Sequence, residues 1–471
     1  MAHTNHLNTS SKKRIPWGLL PVILGLAWPT MLEQLLQTAV QYIDTAMVGT
    51  LGTDAVAAAG ATTTINWLIF STVSAVGVGF LSYIARSVGA GNMQAAKRAS
   101  AQAMLAVLAV GGLFTALALS LSGVIPTWMQ VEEHIRPLAS QYFFILYLPM
   151  TARTASGILG TVLRAAGDTK TPMRVGLIVN LVNVILNFLM IYPTREVLLF
   201  SFSLTLPGAG LGVIGAAIAS AIAYTLGGIV ITVAVLRHPA VSPVGCSFRP
   251  DREILSSCFR VAFPNAAQRF GTCMGYVVFA AMVNSLGGVA TAAHTIANTV
   301  ESAFYIPGYG MQTAAATLAG NAYGARDRAR LESLGMLIII IEVVLMILSG
   351  GLLFLFAPQM MSLFSSDAQV ILLGSAVLRM VALSEPFYGV SIVVEGMMQG
   401  MGRTVMPLVC NLLGMWGIRI VGTFICTQML GMGLVAAWAC MIAHNLAMFG
   451  MFSVYYVSGR WNPLRREKMQ T

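Results

Sequence analysis

Residues 41–52 read Gln41-Tyr42-Ile43-Asp44-Thr45-Ala46-Met47-Val48-Gly49-Thr50-Leu51-Gly52, and they end a segment of otherwise pure membrane-helix character on an ionisable carboxylate. From Trp17 to Ile43 the only other charge is Glu33. A run of that length spans a bilayer, which needs about 20 apolar residues. Holding a carboxylate in it costs roughly 2.5–3.5 kcal/mol on insertion scales, so such residues face a partner or a water-filled cavity and mark ion pathways. The plainer alternative for Asp44 is a side chain at the outer helix end that reaches headgroup water.

Working outward, the 471 residues are 57% hydrophobic and 9% charged, with a mean hydropathy of +0.77. Soluble domains carry about 25% charged residues, so the chain reads as a polytopic membrane protein. The excess of 27 Lys+Arg over 17 Asp+Glu does not indicate nucleic acid, because no basic patch is interleaved with aromatics and the cations sit in short loops. Residues 1–14 are polar and no small-residue cleavage site follows a short apolar region, so no removable signal peptide is expected. Five cysteines (Cys258, Cys273, Cys410, Cys426, Cys440) fall in or beside apolar segments and Cys246 in a basic loop, a pattern of packing residues without disulfide or metal spacing.

Breaks at charged or Gly/Pro-rich stretches give twelve spans, at about 17–48, 55–84, 98–123, 135–163, 172–192, 209–236, 256–286, 289–319, 332–357, 368–398, 405–430 and 433–457. Segments on the N-terminal side hold 21 of the 27 Lys and Arg, whereas the opposite side holds Arg136 and Arg195. The positive-inside rule then places both termini in the cytoplasm of a multi-pass protein of the cell membrane.

Laid on itself with an offset of 235 residues, the chain matches without gaps over six helices. Pro29 meets Pro264, Met47-Val48 meets Met282-Val283, Leu51-Gly52 meets Leu286-Gly287, Gly89-Ala90 meets Gly324-Ala325, and Gly167, Thr169 and Pro172 meet Gly402, Thr404 and Pro407. The expected fold is therefore an all-α membrane protein of twelve transmembrane helices arranged as two six-helix lobes. An even number of spans per half gives both copies one orientation and an axis along the membrane normal, a plan suited to alternating access. The expected divisions are a tail (1–16), a first lobe (17–236), a linker (237–255), a second lobe (256–457) and a second tail (458–471). Past the fifth span the offset falls to 221, with Gly212 on Gly433, so the first half carries 14 extra residues near 193–207, read as an extracellular flap with hairpin-like alternation.

These residues resemble the multidrug and toxic compound extrusion (MATE) family of cation-coupled antiporters. The resemblance rests on Pro29…Asp44-Thr45-x-Met47-Val48-Gly49, Gly89-Ala90-Gly91-Asn92, Leu163-Arg164-x-x-Gly167-Asp168-Thr169-Lys170-Thr171-Pro172-Met173, Ala292-Ala293-His294 and Gly320-Asn321-x-x-Gly324-Ala325. It implies a V-shaped pair of lobes exporting amphipathic, often cationic, compounds in exchange for protons or sodium. Asp44 matches the family's first-helix acid. Asn183 and Asn187 match a fifth-helix Asn-x-x-x-Asp motif with Asn in second place, and Ser220 stands where a sixth-helix Thr is common. NorM-like members carry acids on helices seven and ten, where Thr272 and Tyr388 are the nearest equivalents, which argues against that type of second-half cation site.

Depth supports a first-lobe cation-coupling site of Asp44, Asn180, Asn183, Asn187 and Ser220. Asp44 lies about four residues from the outer end of span 1 and Asn187 about five from that of span 5. Asn180, Asn183 and Asn187 share one helical stripe. A carboxylate with amide oxygens suits sodium or a proton equally, and no metal beyond sodium and no cofactor is expected. The alternative is a hydrogen-bonded packing seam. At position 279 the second copy has Phe where the first has Asp44.

In the second half Arg269, Glu301, Glu385 and Arg419 lie near mid-depth, and buried opposite charges are expected to pair. Glu385–Arg419 is the preferred pair, and a structural ion-pair network outweighs substrate binding. Glu33 and Arg153 form a similar candidate pair in the first half. His294 reads as packing more than as a proton carrier, although its titration range would suit one. Pro307 predicts a bend that could hinge span 8. The 28 methionines are read as membrane filler before a promiscuous pocket.

The reading is a secondary active exporter, not an enzyme: no metal cluster, nucleotide loop or nucleophile–base set lies in the aqueous loops. Its partners are small amphipathic organic substrates and membrane lipid, without nucleic acid, and it is expected to act as a monomer. A major-facilitator carrier would show a charged Gly-x-x-x-Asp-Arg loop where this chain has Arg86-Ser-Val-Gly-Ala-Gly-Asn-Met. A lipid-linked oligosaccharide flippase, marked by a more cationic cavity, is the nearer rival, and a channel is disfavoured by the duplicated lobes.

Overall fold

A computed structural model describes residues 17–199 and 202–467, with the N-terminal tail and the last four residues outside it. Apolar runs without competing polar groups form helices, because in hydrocarbon every backbone N–H and C=O must be satisfied internally. Twelve spans result. Eight are continuous: span 1 (Leu20–Gly49), span 3 (Met93–Leu121), span 5 (Lys170–Ile191), span 6 (Gly212–Arg237), span 7 (Arg252–Asn284), span 9 (Arg328–Ser362), span 11 (Val405–Met429) and span 12 (Leu434–Val457). Four are broken: span 2 (Thr53–Gly60 and Thr63–Gly89), span 4 (Arg136–Tyr147 and Met150–Ala165), span 8 (Gly288–Phe304 and Ile306–Gly324) and span 10 (Ala368–Ala382 and Glu385–Gly400, bent by 54°). By length and apolarity alone eight or nine helices qualify as crossing a membrane. Spans 4, 7 and 8 fall short because breaks interrupt spans 4 and 8, and Asn265, Gln268 and Arg269 dilute the apolar run of span 7.

The repeat is visible in the backbone. Positive φ recurs at Gly52 (103°) and Gly287 (104°), at Gly167 (89°) and Gly402 (81°), and at Gly91 (71°) and Arg326 (54°), each pair 235 residues apart. The N-caps Asn92 and Asp327 are likewise equivalent: Asn92 accepts from the Ala95 N–H at 3.0 Å and Asp327 from the Arg330 N–H at 2.9 Å. The breaks of spans 4 and 10 fall on equivalent residues, 148–149 and 383–384. Where the first half has its 14 extra residues, β1 (Pro193–Leu199) pairs antiparallel with β2 (Phe202–Ala209), in line with the expected hairpin.

The halves meet on the face that carries the chain ends. Gly89 and Gly324 approach there so closely that a Cβ on either would strike backbone, that of Asn321 in one case and of Arg86 in the other, again positions 235 apart. Ser82 Oγ donates to the Gly400 carbonyl (3.1 Å) and Thr317 Oγ1 to the Arg164 carbonyl (3.2 Å). Deeper in, Thr30 Oγ1 donates to the Gly310 carbonyl (3.0 Å). Each lobe also lends its first span to the other's core: Ile23 and Ala27 join the second lobe's apolar cluster, and Ile254 and Cys258 join the first lobe's.

Candidate functional site

Span 1 runs unbroken past Pro29 and carries Asp44 to the far side of the first lobe, where spans 5 and 6 present polar side chains. Asn187 Nδ2 donates to Asp44 Oδ1 at 2.6 Å and to Asn183 Oδ1 at 3.2 Å, and Asn183 Nδ2 lies 3.1 Å from Ser220 Oγ. Turned so that each end of its amide meets a complementary group, Asn183 donates to Asp44 Oδ1 (2.9 Å) and Oδ2 (3.3 Å) and accepts from Ser220. Asn183, Asn187 and Ser220 are buried. In either amide orientation the carboxylate is held by neutral donors, and Asn187 Oδ1 stays without a partner. A carboxylate beside a free amide oxygen can take a proton or a small alkali cation. Of the five residues expected here, four are brought together. Asn180 does not hydrogen-bond into the group, and its Nδ2 is buried without a partner.

The Glu33–Arg153 pair does not form. Arg164 Nη2 instead reaches both Glu33 oxygens, at 2.6 and 2.7 Å. Arg153 donates to Asn66 Oδ1 (2.8 Å) and lies over the Tyr224 ring, 4.8 Å from its centroid. Counting from helix ends fixed depth roughly but not which face of span 4 turns inward, and the break at 148–149 resets that face.

In the second lobe Glu385–Arg419 also fails to form. Arg419 stacks over Phe279 (4.1 Å) and Tyr276 (4.9 Å), and its Nε has no hydrogen-bond partner. Span 11 is π-helical over Leu413–Ile420 and Phe424–Met429, and i→i+5 bonding moves side chains off the face an α-helical count predicts. Glu301 is the acid that the Arg419 charge acts on. Glu385 lies instead in the field of Glu301 and Glu342, and its Oε2 is unpartnered. Both Glu342 oxygens are buried without partners. Arg269 Nε donates to Asn265 Oδ1 (3.0 Å). The expected network of ion pairs is therefore replaced by carboxylates and guanidiniums set apart.

Span 8 does break beside Pro307, at Tyr305. Its second part opens a tyrosine group in which Tyr309 OH lies 3.5 Å from Tyr388 OH and Tyr305 meets both rings edge-on. His294 packs edge-on to Phe279 and Trp438. The candidate network omitted Glu395, which accepts from Gln268 Nε2 (2.8 Å), Gln399 Nε2 (2.9 Å) and Asn411 Nδ2 (3.0 Å). The signal for it lay in the repeat: Gln268 and Gln399 stand 235 residues after Glu33 and Arg164.

A family model described as MatE matches residues 29–189 and 264–425, once in each half. A "Probable multidrug resistance protein NorM" of Thermotoga maritima is 26% identical, covering 100% of this chain and 99% of its own. Among solved structures, that of MATE in complex with MaL6 superposes with a TM-score of 0.86 at 22% identity, covering 94% of this chain and 97% of the other. A MOP superfamily transporter from Pyrococcus furiosus, for which a reversed polarity of the binding pocket suggests a different function, gives a TM-score of 0.85 at 24% identity over 94% and 96%.

Proposed function

The chain belongs to the MatE family of multi-pass membrane transporters, and from that premise we propose that it exports amphipathic, often cationic, organic compounds in exchange for protons or sodium. The observation that carries the coupling is the Asp44 carboxylate, held by neutral amides and hydroxyl beside the unpartnered Asn187 oxygen. With the termini in the cytoplasm, the joined face of the halves is the inner one and the lobes part outward. A cation entering from outside neutralises Asp44 and changes which donors and acceptors spans 1, 5 and 6 share. Substrate held between the lobes then leaves outward, and the return swing opens the inner face.

Efflux of a fluorescent cationic dye from vesicles under an imposed proton or sodium gradient tests this. Wild type is expected to respond to one of the two gradients, and Asp44→Asn to lose at least about tenfold of that response while inserting normally, the factor corresponding to about 1.4 kcal/mol of differential binding. Unchanged gradient-driven efflux in Asp44→Asn would overturn the assignment. A flippase for lipid-linked anionic cargo is the second reading. Arg153, Arg269 and Arg419 favour it, since none forms an ion pair among the described residues.

A further inference from the structure

The repeat relates four positions that face one another inside each lobe, and the lobes fill them differently. In the first they are Glu33, Gly160, Arg164 and Gly176. Arg164 grips both Glu33 oxygens, and the two glycines leave room for the pair: a Cβ at Gly176 would stand 3.5 Å from Glu33 Cγ and one at Gly160 3.7 Å from Arg164 Nη1. The residues 235 further on are Gln268, Glu395, Gln399 and Asn411. There Glu395 Oε1 accepts from both glutamines and Oε2 from Asn411, whose Nδ2 also donates to the Pro407 carbonyl at 2.9 Å.

Each copy of the pocket thus holds one carboxylate, but only the first supplies a cationic side chain. Amide donors stabilise a carboxylate without neutralising it, and a buried charge lacking a counter-charge is costly. Among the described residues no cationic side chain forms an ion pair with Glu395. Arg269 on span 7 acts on it through space but spends its Nε on Asn265, and the other titratable neighbours are Tyr309 of span 8 and Cys410 of span 11. Gln268 supplies a second, independent observation. It is 6% exposed, its Nε2 is docked on Glu395, and its Oε1 has no partner. An acceptor left empty beside a carboxylate is what a proton shared between oxygens, or an alkali cation, would satisfy.

We propose that the Glu395 pocket is a second exchangeable site for a monovalent cation, taken between the Glu395 carboxylate and the Gln268 amide oxygen, and that Glu33–Arg164 is its permanently filled counterpart. The use of this ion in transport rests on the cation-coupled reading above, but its binding does not.

The test uses full-length Asp44→Asn protein, in which the first-lobe site is silent. Binding of radioactive sodium and proton uptake followed with a pH indicator separate the two ions. Asp44→Asn protein is expected to keep binding one of them. Added Glu395→Gln removes the charge, and added Gln399→Arg keeps the carboxylate but supplies the first lobe's partner; each is expected to weaken binding at least tenfold. Thermal unfolding and size exclusion check that the variants fold. Absence of ion binding in Asp44→Asn alone, or binding undiminished by both additional changes, would overturn the proposal. Failure of Asp44 as the coupling group would appear in dye efflux and leave this measurement intact.

Discussion

Asn187 is the residue through which the Asp44 carboxylate is tied to span 5, at 2.6 Å. A hydrogen bond to a charged group contributes about 1.5–3 kcal/mol, so Asn187→Leu is expected to shift the cation concentration for half-maximal efflux by about tenfold or more. A dose–response of dye efflux against the coupling ion measures it. Glu33 and Arg164 call for a different variant set. Removing one member leaves a buried uncompensated charge at a cost of about 3–5 kcal/mol, so Glu33→Gln and Arg164→Gln should each lower the unfolding temperature in detergent. The double change installs the glutamines that the second lobe carries at 268 and 399, and it should unfold at a higher temperature than either single variant.

At the scale of helices, Gly89 and Gly324 form the inner seam between spans 2 and 8, where backbone meets backbone. Because the sites are equivalent, Gly89→Ala and Gly324→Ala should act alike, prising the inner face open by the width of a methyl group. Distances between spin labels across that face report it, and equal lengthening in the two variants is expected, with dye export reduced in both. The broken spans 4 and 10 place Met150 and Glu385 at equivalent first-turn positions, so one backbone device presents an apolar side chain in one lobe and an acid in the other.

For the whole molecule, orientation is the property to measure. Cys246 lies partly exposed in the linker between Arg237 and Arg252, while Cys258 and Cys410 are buried. A membrane-impermeant maleimide should label Cys246 in inside-out vesicles and spare it in intact cells, with Cys246→Ser as the control. Labelling from outside would reverse the assigned topology. The duplicated scaffold also carries opposite chemistry at equivalent depth: Asp44 with its amides in one lobe, Phe279 beneath the Arg419 guanidinium in the other.

Twelve spans, their grouping into two halves and the hairpin insertion were legible in the chain, because apolar length and a constant offset are properties of sequence order alone. The gathering of Asp44, Asn183, Asn187 and Ser220 was legible too, since three of the four lie near the same helix ends and the asparagines share a stripe. Pairing of charges was not. Glu33 took Arg164 instead of Arg153, and Arg419 took aromatic faces instead of Glu385. Depth can be counted along a regular helix, but the direction a side chain faces depends on every break and π-turn between it and the helix end. Those irregularities belong to tertiary packing, and they decided which charges met and which, like Glu395, were left among amides.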